Sequence, residues 1–352
     1  MYKNRIFAAA AFTFLSACAS QQAEIKSAEI VNNKRPAKLF ATLPDNCPTP
    51  DAFDIAPNGS LTLSCVNYAN KGQKPGVLLT LDEAGNSRLL VDLSQLPGNK
   101  KSRPMGIAYA PDGALYVADN LGGNQGRLLK LTFNGEKLVN SEIIATGLSS
   151  PNGLRYYNGS LYLTQLRLPK IKSQGAITSG LYRFSVDDRN IKVPSDGSSK
   201  HLIFSTQTKN PDRQFGLDGL VFDKAGNLYI GNLGDGIIYK LKLDPQGNVD
   251  SHQVYATVDN TIGPDGISID DAGNLYLAGF VSNQIIKIDI NKQVTIIAEY
   301  PDNDGSGGQI DQPADLIVYG DKLVISNFDL MTGKGIVNQG HGKPYTLSYI
   351  QL

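Results

Sequence analysis

Four oxygen-bearing side chains recur at one position of a repeated sequence unit: Asp51, Asn152, Asp218 and Asp265. Carboxylates brought together repel one another, and a bound cation is the simplest way to keep them charged. Carboxylate and amide oxygens without Cys or His suit Ca²⁺, with Mg²⁺ or Mn²⁺ as further candidates. These residues therefore predict one divalent cation, the alternative being a water-filled polar channel.

Asp or Asn before Gly also forms turns by bonding its own backbone, which is the plainest interpretation of each copy alone. In two copies, however, Met105 and Ala314 occupy the same position. The repeat thus forms without a carboxylate there, which favours a shared chemical role for the polar residues.

The unit itself consists of a turn, a strand, a Gly-containing turn and a second strand. Its six copies begin at Pro50, Pro104, Pro151, Leu217, Pro264 and Pro313. Apolar strands around Gly turns predict hairpins. A third strand, such as RLLKLTF from Arg127, and a fourth, such as EIIATGL from Glu142, complete each copy. Repeated four-stranded units are typical of the blades of a β-propeller.

Both ends of the chain support a closed ring of six blades. The sixth copy ends after three strands, and AKLFATLP from Ala37 can supply the fourth. No stretch after the N-terminal segment keeps a helical apolar period. We therefore predict one all-β domain over residues 37–352, a six-bladed propeller closed by its N-terminal strand.

In such a propeller the first strand of each blade lines the axis, and the turn before it faces the channel mouth. The second strand returns to that mouth, where we expect substrate contacts from Asn120, Gln165, Asn232 and Asn327. The longest inserts on this face, residues 167–180 and 330–343, are expected to cover the mouth. Their cationic side chains are candidates for an anionic or polyol ligand, or are solvated loop charges: Arg167, Lys170, Lys172 and His341.

The six repeats, with xDG before one strand and GN before the next, resemble the SMP-30/gluconolactonase/LRE-like family of sugar-lactone hydrolases. The resemblance covers nearly all of the chain after residue 37 and implies one divalent cation. The family's Asp in a PDG turn corresponds to Asp265, its first-blade Glu to Asp51, and its middle-blade Asn positions to Asn152 and Asp218. Asp51 and Asp218 thus depart from the family pattern.

The resemblance further implies metal-dependent hydrolysis of lactones or related esters. The cation would polarise the carbonyl group, and Asp265 is the expected catalytic base for the attacking water. The alternative is a non-catalytic propeller that binds a small molecule or a protein at its mouth.

The N-terminal segment indicates export. Lys3 and Arg5 precede an apolar stretch too short to span a bilayer, which predicts a signal peptide over residues 1–17. LSAC, ending at Cys18, resembles the lipobox of bacterial lipoproteins, which implies lipidation of Cys18, a polar tether over 18–36 and an outer-membrane anchor facing the periplasm. The alternative is a plain secretory signal. In that oxidising compartment Cys47 and Cys65 can form a disulfide, or they are two buried thiols.

Composition excludes several other classes. Lys and Arg together equal Asp and Glu at 33 each, without a basic run, so nucleic acid is not an expected partner. Three His without Cys/His spacing argue against zinc. No GxSxG motif occurs, which argues against acyl-enzyme chemistry.

Overall fold

The computed structural model describes residues 31–70, 74–96, 101–168, 172–173 and 175–352. Its strands form six sheets, and the described helices are two 3-10 turns, Tyr68–Asn70 and Leu93–Gln95. The prediction of an all-β, six-bladed propeller is confirmed. No helix in the described ranges is long and apolar enough to cross a membrane. The predicted signal peptide and Cys18 lie outside these ranges.

Strands are numbered in chain order. The first two are β1 (Val31–Asn32) and β2 (Lys38–Thr42). Blade 1 contains β3 (Pro50–Ile55), β4 (Leu61–Cys65), β5 (Val77–Leu81) and β6 (Ser87–Asp92). Blade 2 contains β7 (Pro104–Tyr109), β8 (Leu115–Asp119), β9 (Gly126–Asn134) and β10 (Lys137–Leu148).

Blade 3 contains β11 (Pro151–Tyr157), β12 (Ser160–Gln165), β13 (Lys172–Ser173), β14 (Ala176–Ser185) and β16 (Leu202–Thr208), while β15 (Ile191–Lys192) pairs with β10 of blade 2. Blade 4 contains β17 (Leu217–Phe222), β18 (Leu228–Asn232), β19 (Ile237–Leu243) and β20 (Val249–Thr257). Blade 5 contains β21 (Pro264–Ile269), β22 (Leu275–Gly279), β23 (Gln284–Ile288) and β24 (Val294–Glu299). Blade 6 contains β25 (Pro313–Tyr319), β26 (Lys322–Asn327) and β27 (Thr346–Gln351).

The turn between the first two strands of blade 4 shows how local sequence sets the hairpins. The Asp223 carboxylate accepts the backbone N–H groups of Ala225 and Asn227 at 3.0 and 2.8 Å. Gly226 adopts a φ of 81°, which a side chain would disfavour. The same Asp and Gly arrangement recurs before β22, at Asp270. This turn chemistry fixes the register in which the first strand reaches the hub.

The N-terminal strand closes the ring as predicted. In blade 6, β2 pairs antiparallel with β27, so Leu39 lies opposite Ser348. Pairing begins earlier still, because β1 runs parallel to β24 and the Arg35 N–H donates to the Ile297 carbonyl at 2.7 Å. The described end of the segment predicted as a tether therefore lies along blade 5.

Apolar side chains fill the space between adjacent blades, as in the buried cluster of Phe53, Leu63 and Leu79 in blade 1. Cys47 and Cys65 are both fully buried and form a disulfide, with their Cα atoms 5.0 Å apart. The bond joins the segment before β3 to the end of β4. It therefore fixes the start of the first hub strand relative to its neighbour.

Candidate active site

A β-bulge near the start of the first strand recurs in all six blades. In blade 5, Pro264 pairs with Gly279 and Ile267 with Leu277, so Asp265 and Gly266 share the space opposite one residue. The corresponding register shift occurs in the other blades. A bulge turns a side chain away from the alternation of the strand. Here the bulged position presents its side chain to the channel mouth.

The prediction that these residues lie in a turn before the strand was wrong: Asp265 is the second residue of β21. The Gly after it is required by blade packing. A Cβ atom at Gly219 would lie 2.2 Å from the Asp265 carbonyl oxygen of the next blade, and one at Gly153 would lie 2.5 Å from the Asp218 carbonyl oxygen. In blades 2 to 5 the absence of a side chain at this position thus lets neighbouring first strands approach closely, whereas blades 1 and 6 carry Ala52 and Asp315 there.

The bulged residues meet at one cavity of about 780 Å³. Asp51, Asn152, Asp218 and Asp265 all line it, together with Met105, while Ala314 lies in a narrow extension that the four polar residues also border. Asp218 is 2% and Asp51 7% exposed. The structure therefore brings together the whole set of residues predicted to bind the cation.

The carboxyl groups in this cavity have unusual proton affinities. Burial raises the pKa of Asp218 to about 7, and the charge of Asp315 adds to the shift, although a hydrogen bond with Asp265 opposes it. Burial, with the charges of Asp218 and Asp51, raises the pKa of Asp265 well above its usual value. Burial and nearby acids also raise the pKa of Asp51. A buried carboxyl group with a raised pKa either stays protonated or is charged beside a bound cation.

An arginine that the sequence analysis missed lies deeper in the channel. Arg155 is in β11, three residues after Asn152, and its Nη2 atom lies 3.8 Å from Asp315 Oδ2. Asp315 also accepts the Phe53 backbone N–H at 3.1 Å. Arg155 lowers the pKa of both Asp315 and Asp54, against the larger effect of burial. We call the four acids around the narrow end of the channel, Asp51, Asp218, Asp265 and Asp315, the acidic hub. Arg155 partly compensates its negative charge.

The donor set has the oxygen chemistry that a hard divalent cation prefers. Three carboxyl groups and an amide face one cavity, and the side chains of Asp51 and Asn152 have no hydrogen-bond partner in the described part of the chain. As the side chains stand, however, no group of three or more His, Cys, Asp or Glu among the described residues is arranged to hold a metal ion. Asp218 and Asp265 instead share a hydrogen bond with each other.

Three of the four residues expected to contact substrate have structural roles instead. The Gln165 Oε1 atom accepts the Ser149 backbone N–H at 2.6 Å, and Asn327 Oδ1 accepts that of Asp311 at 3.1 Å. Asn232 Oδ1 accepts the Thr208 hydroxyl at 3.1 Å. All three are buried. Gln165 and Asn327 hold the loop before the first strand of their own blade, Asn232 holds the end of β16, and none of the three lines the cavity.

The residue immediately after the second strand reaches the cavity instead. In every blade its backbone N–H donates to the carbonyl that precedes the first strand, as from Leu233 to Gly216 at 3.0 Å and from Phe280 to Gly263 at 3.0 Å. Five of these six residues line the cavity: Asn120, Leu166, Leu233, Phe280 and Phe328. Asn120, predicted to contact substrate, is therefore placed in the cavity wall. For Leu166, Leu233 and Phe328, the sequence feature that could have indicated a place in the wall is an apolar residue directly after a strand that ends in Gln or Asn.

Both long inserts reach the cavity. Arg167 of the third blade and Leu330, Met331 and Ile336 of the sixth line its wall. His341 does not; its Nδ1 atom binds the Asp329 carbonyl and its ring stacks on Tyr345. Lys170 and the side chain of Lys172 lie outside the described residues.

Sequence comparison and structural comparison give different results. No protein-family model matches the chain, and no curated protein is found as a relative. A gluconolactonase from Xanthomonas campestris superposes with a TM-score of 0.57 at 15% identity, covering 93% of this chain and 99% of that one. A luciferin-regenerating enzyme gives 0.57 at 14% identity, covering 90% and 92%. The PQQ-bound aldose sugar dehydrogenase of Streptomyces coelicolor gives 0.56 at 14% identity, covering 89% and 96%. At these identities the likeness shows a shared propeller fold, which gluconolactonase-like enzymes have.

Proposed function

We propose that this protein is a hydrolase of lactones or related esters that works with one divalent cation, with Ca²⁺ as the expected ion. The observation that carries the proposal is the convergence of Asp51, Asn152, Asp218 and Asp265 on one cavity. Support also comes from the propeller fold shared with a gluconolactonase. Fold alone does not determine function, so the proposal depends on the site.

Each polar residue has a role that follows from its surroundings. Asp51, Asn152, Asp218 and Asp265 would hold the cation, which supplies a Lewis acid for the carbonyl group of the substrate. Asp265 is also the proposed general base for the attacking water, because its carboxyl group faces the cavity beside the proposed cation. The Asn152 amide and the nearby Asn120 would orient the substrate, since both line the cavity.

The reaction can be tested with a panel of small lactones and aryl esters. We expect the purified protein to open at least one of them in Ca²⁺, to lose most of that rate in EDTA, and to recover it when Ca²⁺ is returned. Asp265→Asn should lose at least about 100-fold in kcat, as expected for removal of a general base. Arg189→Gln, which alters an ion pair with Glu142 on an outer strand, is the matched control. Equal rates for the protein in Ca²⁺, the protein in EDTA and Asp265→Asn would exclude the proposal.

A non-catalytic ligand-binding propeller is the second candidate. It is favoured by one observation: in the described part of the chain, no three acidic, His or Cys side chains stand ready to hold a metal ion. Tight binding of a small molecule without turnover of any lactone or ester would support this alternative.

We also propose that the protein is exported and anchored to a membrane through a lipid on Cys18. The support comes from the LSAC sequence and from the disulfide between Cys47 and Cys65, which suits an oxidising compartment. Labelled palmitate should be incorporated into the chain and lost in Cys18→Ala. Labelling that persists in this variant would rule out the proposed anchor.

A further inference from the structure

The wall above the acidic hub is apolar. Four of the residues that follow a second strand contribute to it, and the sixth-blade insert and the segment before β17 add more: Leu166, Leu233, Phe280, Phe328, Ile336 and Phe215. Three residues with hydroxyl groups also line the cavity: Ser149 and Ser150, which both donate to the Arg167 carbonyl, and Tyr68. A polyol needs a hydrogen-bond partner for each hydroxyl group, and the apolar side chains of this wall offer none.

Three arginines face the same cavity: Arg103, Arg167 and Arg213. The arginine ion pairs in the described part of the chain involve Arg88, Arg127, Arg155 and Arg189 instead. The cavity arginines therefore have no carboxylate partner among the described residues. They come from loops of blades 2, 3 and 4, which are consecutive around the ring.

Aromatic rings hold two of these guanidinium groups. Arg103 lies 5.1 Å from the centre of the Tyr68 ring, and Arg167 lies 4.8 Å from the centre of the Phe215 ring. Such stacking holds a guanidinium group in place, and its remaining N–H donors can bind an anion.

Arg213 is the most constrained of the three. Its Nε atom is buried and has no hydrogen-bond partner among the described residues, while Nη2 donates to the Lys334 carbonyl at 3.3 Å. Burial lowers its pKa, so the charged form is incompletely solvated. A buried donor without an acceptor favours a ligand that supplies one.

Positive and negative groups line the same cavity without forming ion pairs. None of the three arginines forms an ion pair with Asp51, Asp218 or Asp265, and Arg167 is exposed whereas Asp218 is buried. A ligand in the cavity would thus have guanidinium groups, the acidic residues and apolar side chains available as separate contacts.

We propose that this cavity selects an amphipathic anion: a lactone or ester with an apolar body and a separate carboxylate, sulfate or phosphate group that the arginines bind. Hydrolysis of this ligand rests on the proposed hydrolase function, whereas binding of the anion by the arginines is independent of catalysis. Sugar lactones, which lack an apolar body, are correspondingly poor ligands.

The binding of three probes separates the contribution of the anionic group from that of the apolar chain. Calorimetry in Ca²⁺ should show octanoate binding at least about tenfold more tightly than octanol, which lacks the charge, and than gluconate, which lacks the apolar chain. Arg213→Gln should weaken octanoate binding by about tenfold or more, as expected for loss of a charge-assisted hydrogen bond. The same variant should leave octanol binding unchanged. Arg189→Gln, which removes an equal charge far from the cavity, should behave as the unmodified protein.

Gluconate binding as tightly as octanoate, or an unchanged octanoate affinity in Arg213→Gln, would overturn the inference. If Arg213→Gln does not fold, Arg167→Gln replaces it, because this arginine is exposed and stacks on one ring. Selective octanoate binding without hydrolysis of any lactone or ester would remove the proposed reaction and retain the recognition. Hydrolysis of a lactone or ester without a binding preference for octanoate would remove the proposed recognition and retain the proposed reaction.

Discussion

Removing the positive charge of Arg155 tests the electrostatic description of the hub. Its Nη2 atom lies 3.8 Å from Asp315 Oδ2. Two unit charges at that distance attract by about 4 kcal/mol at an effective dielectric constant of about 20. Arg155→Met leaves Asp315 and Asp54 buried without this cation, and loss of one partner of a buried pair costs roughly 3–5 kcal/mol. We expect the free energy of unfolding to fall by about that amount at pH 8.

The loss should depend on pH in a defined direction. Burial raises the pKa of Asp54 and Asp315 above the unfolded value, so the folded chain retains protons that the unfolded chain has released. The free energy of unfolding therefore falls as pH rises from the unfolded toward the folded pKa. Because Arg155 opposes these shifts, its removal raises both pKa values further. The destabilisation should be smaller at pH 5, where protonation offsets the missing charge, than at pH 8.

Urea unfolding followed by tyrosine fluorescence suits a chain with 16 Tyr and no Trp. Arg155→Met and the control Arg189→Met, from a partly exposed pair, are compared at pH 5, 6.5 and 8 in EDTA. The control is expected to lose less than about 1 kcal/mol. An equal loss for Arg155→Met at pH 5 and pH 8, or a loss no larger than that of the control, would refute the reasoning.

Three further predictions concern stability. Replacing Cys47 and Cys65 by Ser opens a crosslink between residues 18 apart and should lower the free energy of unfolding by about 3 kcal/mol in urea titrations; an unchanged midpoint would contradict this. Asp311→Asn should raise the melting temperature more at pH 9 than at pH 6. Burial and nearby acids raise the pKa of this 1% exposed Asp to about 8, so its ionisation destabilises the native state as the pH rises. An equal change in melting temperature at both pH values would exclude this explanation. Gly219→Ala should cost about 1–3 kcal/mol through a clash with the next blade, whereas Gly340→Ala, which meets no atom within 4 Å, should be neutral by thermal unfolding; equal effects would argue against tight hub packing.

The propeller could be predicted because its repeats remain in phase. Each copy places a residue such as Asp218 at the same point of its blade, so one alignment of the repeats located the whole polar set. The bulge did not disturb this inference, since it recurs in all six blades.

Two features could not be found in this way. Side-chain direction at the strand end depends on the hydrogen bond that ties it to the preceding loop, so Gln165 was assigned to the cavity and Leu166 was overlooked. Arg155 lies within a strand, and Asp54 and Asp315 belong to blades at opposite ends of the chain. Only ring closure brings these three side chains together.

Calcium titration by calorimetry examines the acidic hub most directly. The purified protein should bind one Ca²⁺ per chain at the mouth, Asp218→Asn and Asp265→Asn should each weaken that binding by more than about tenfold, and Asp311→Asn, which alters an acid outside the cavity, should retain it. The absence of Ca²⁺ binding, or binding unaffected by either hub substitution, would contradict the proposed cation site.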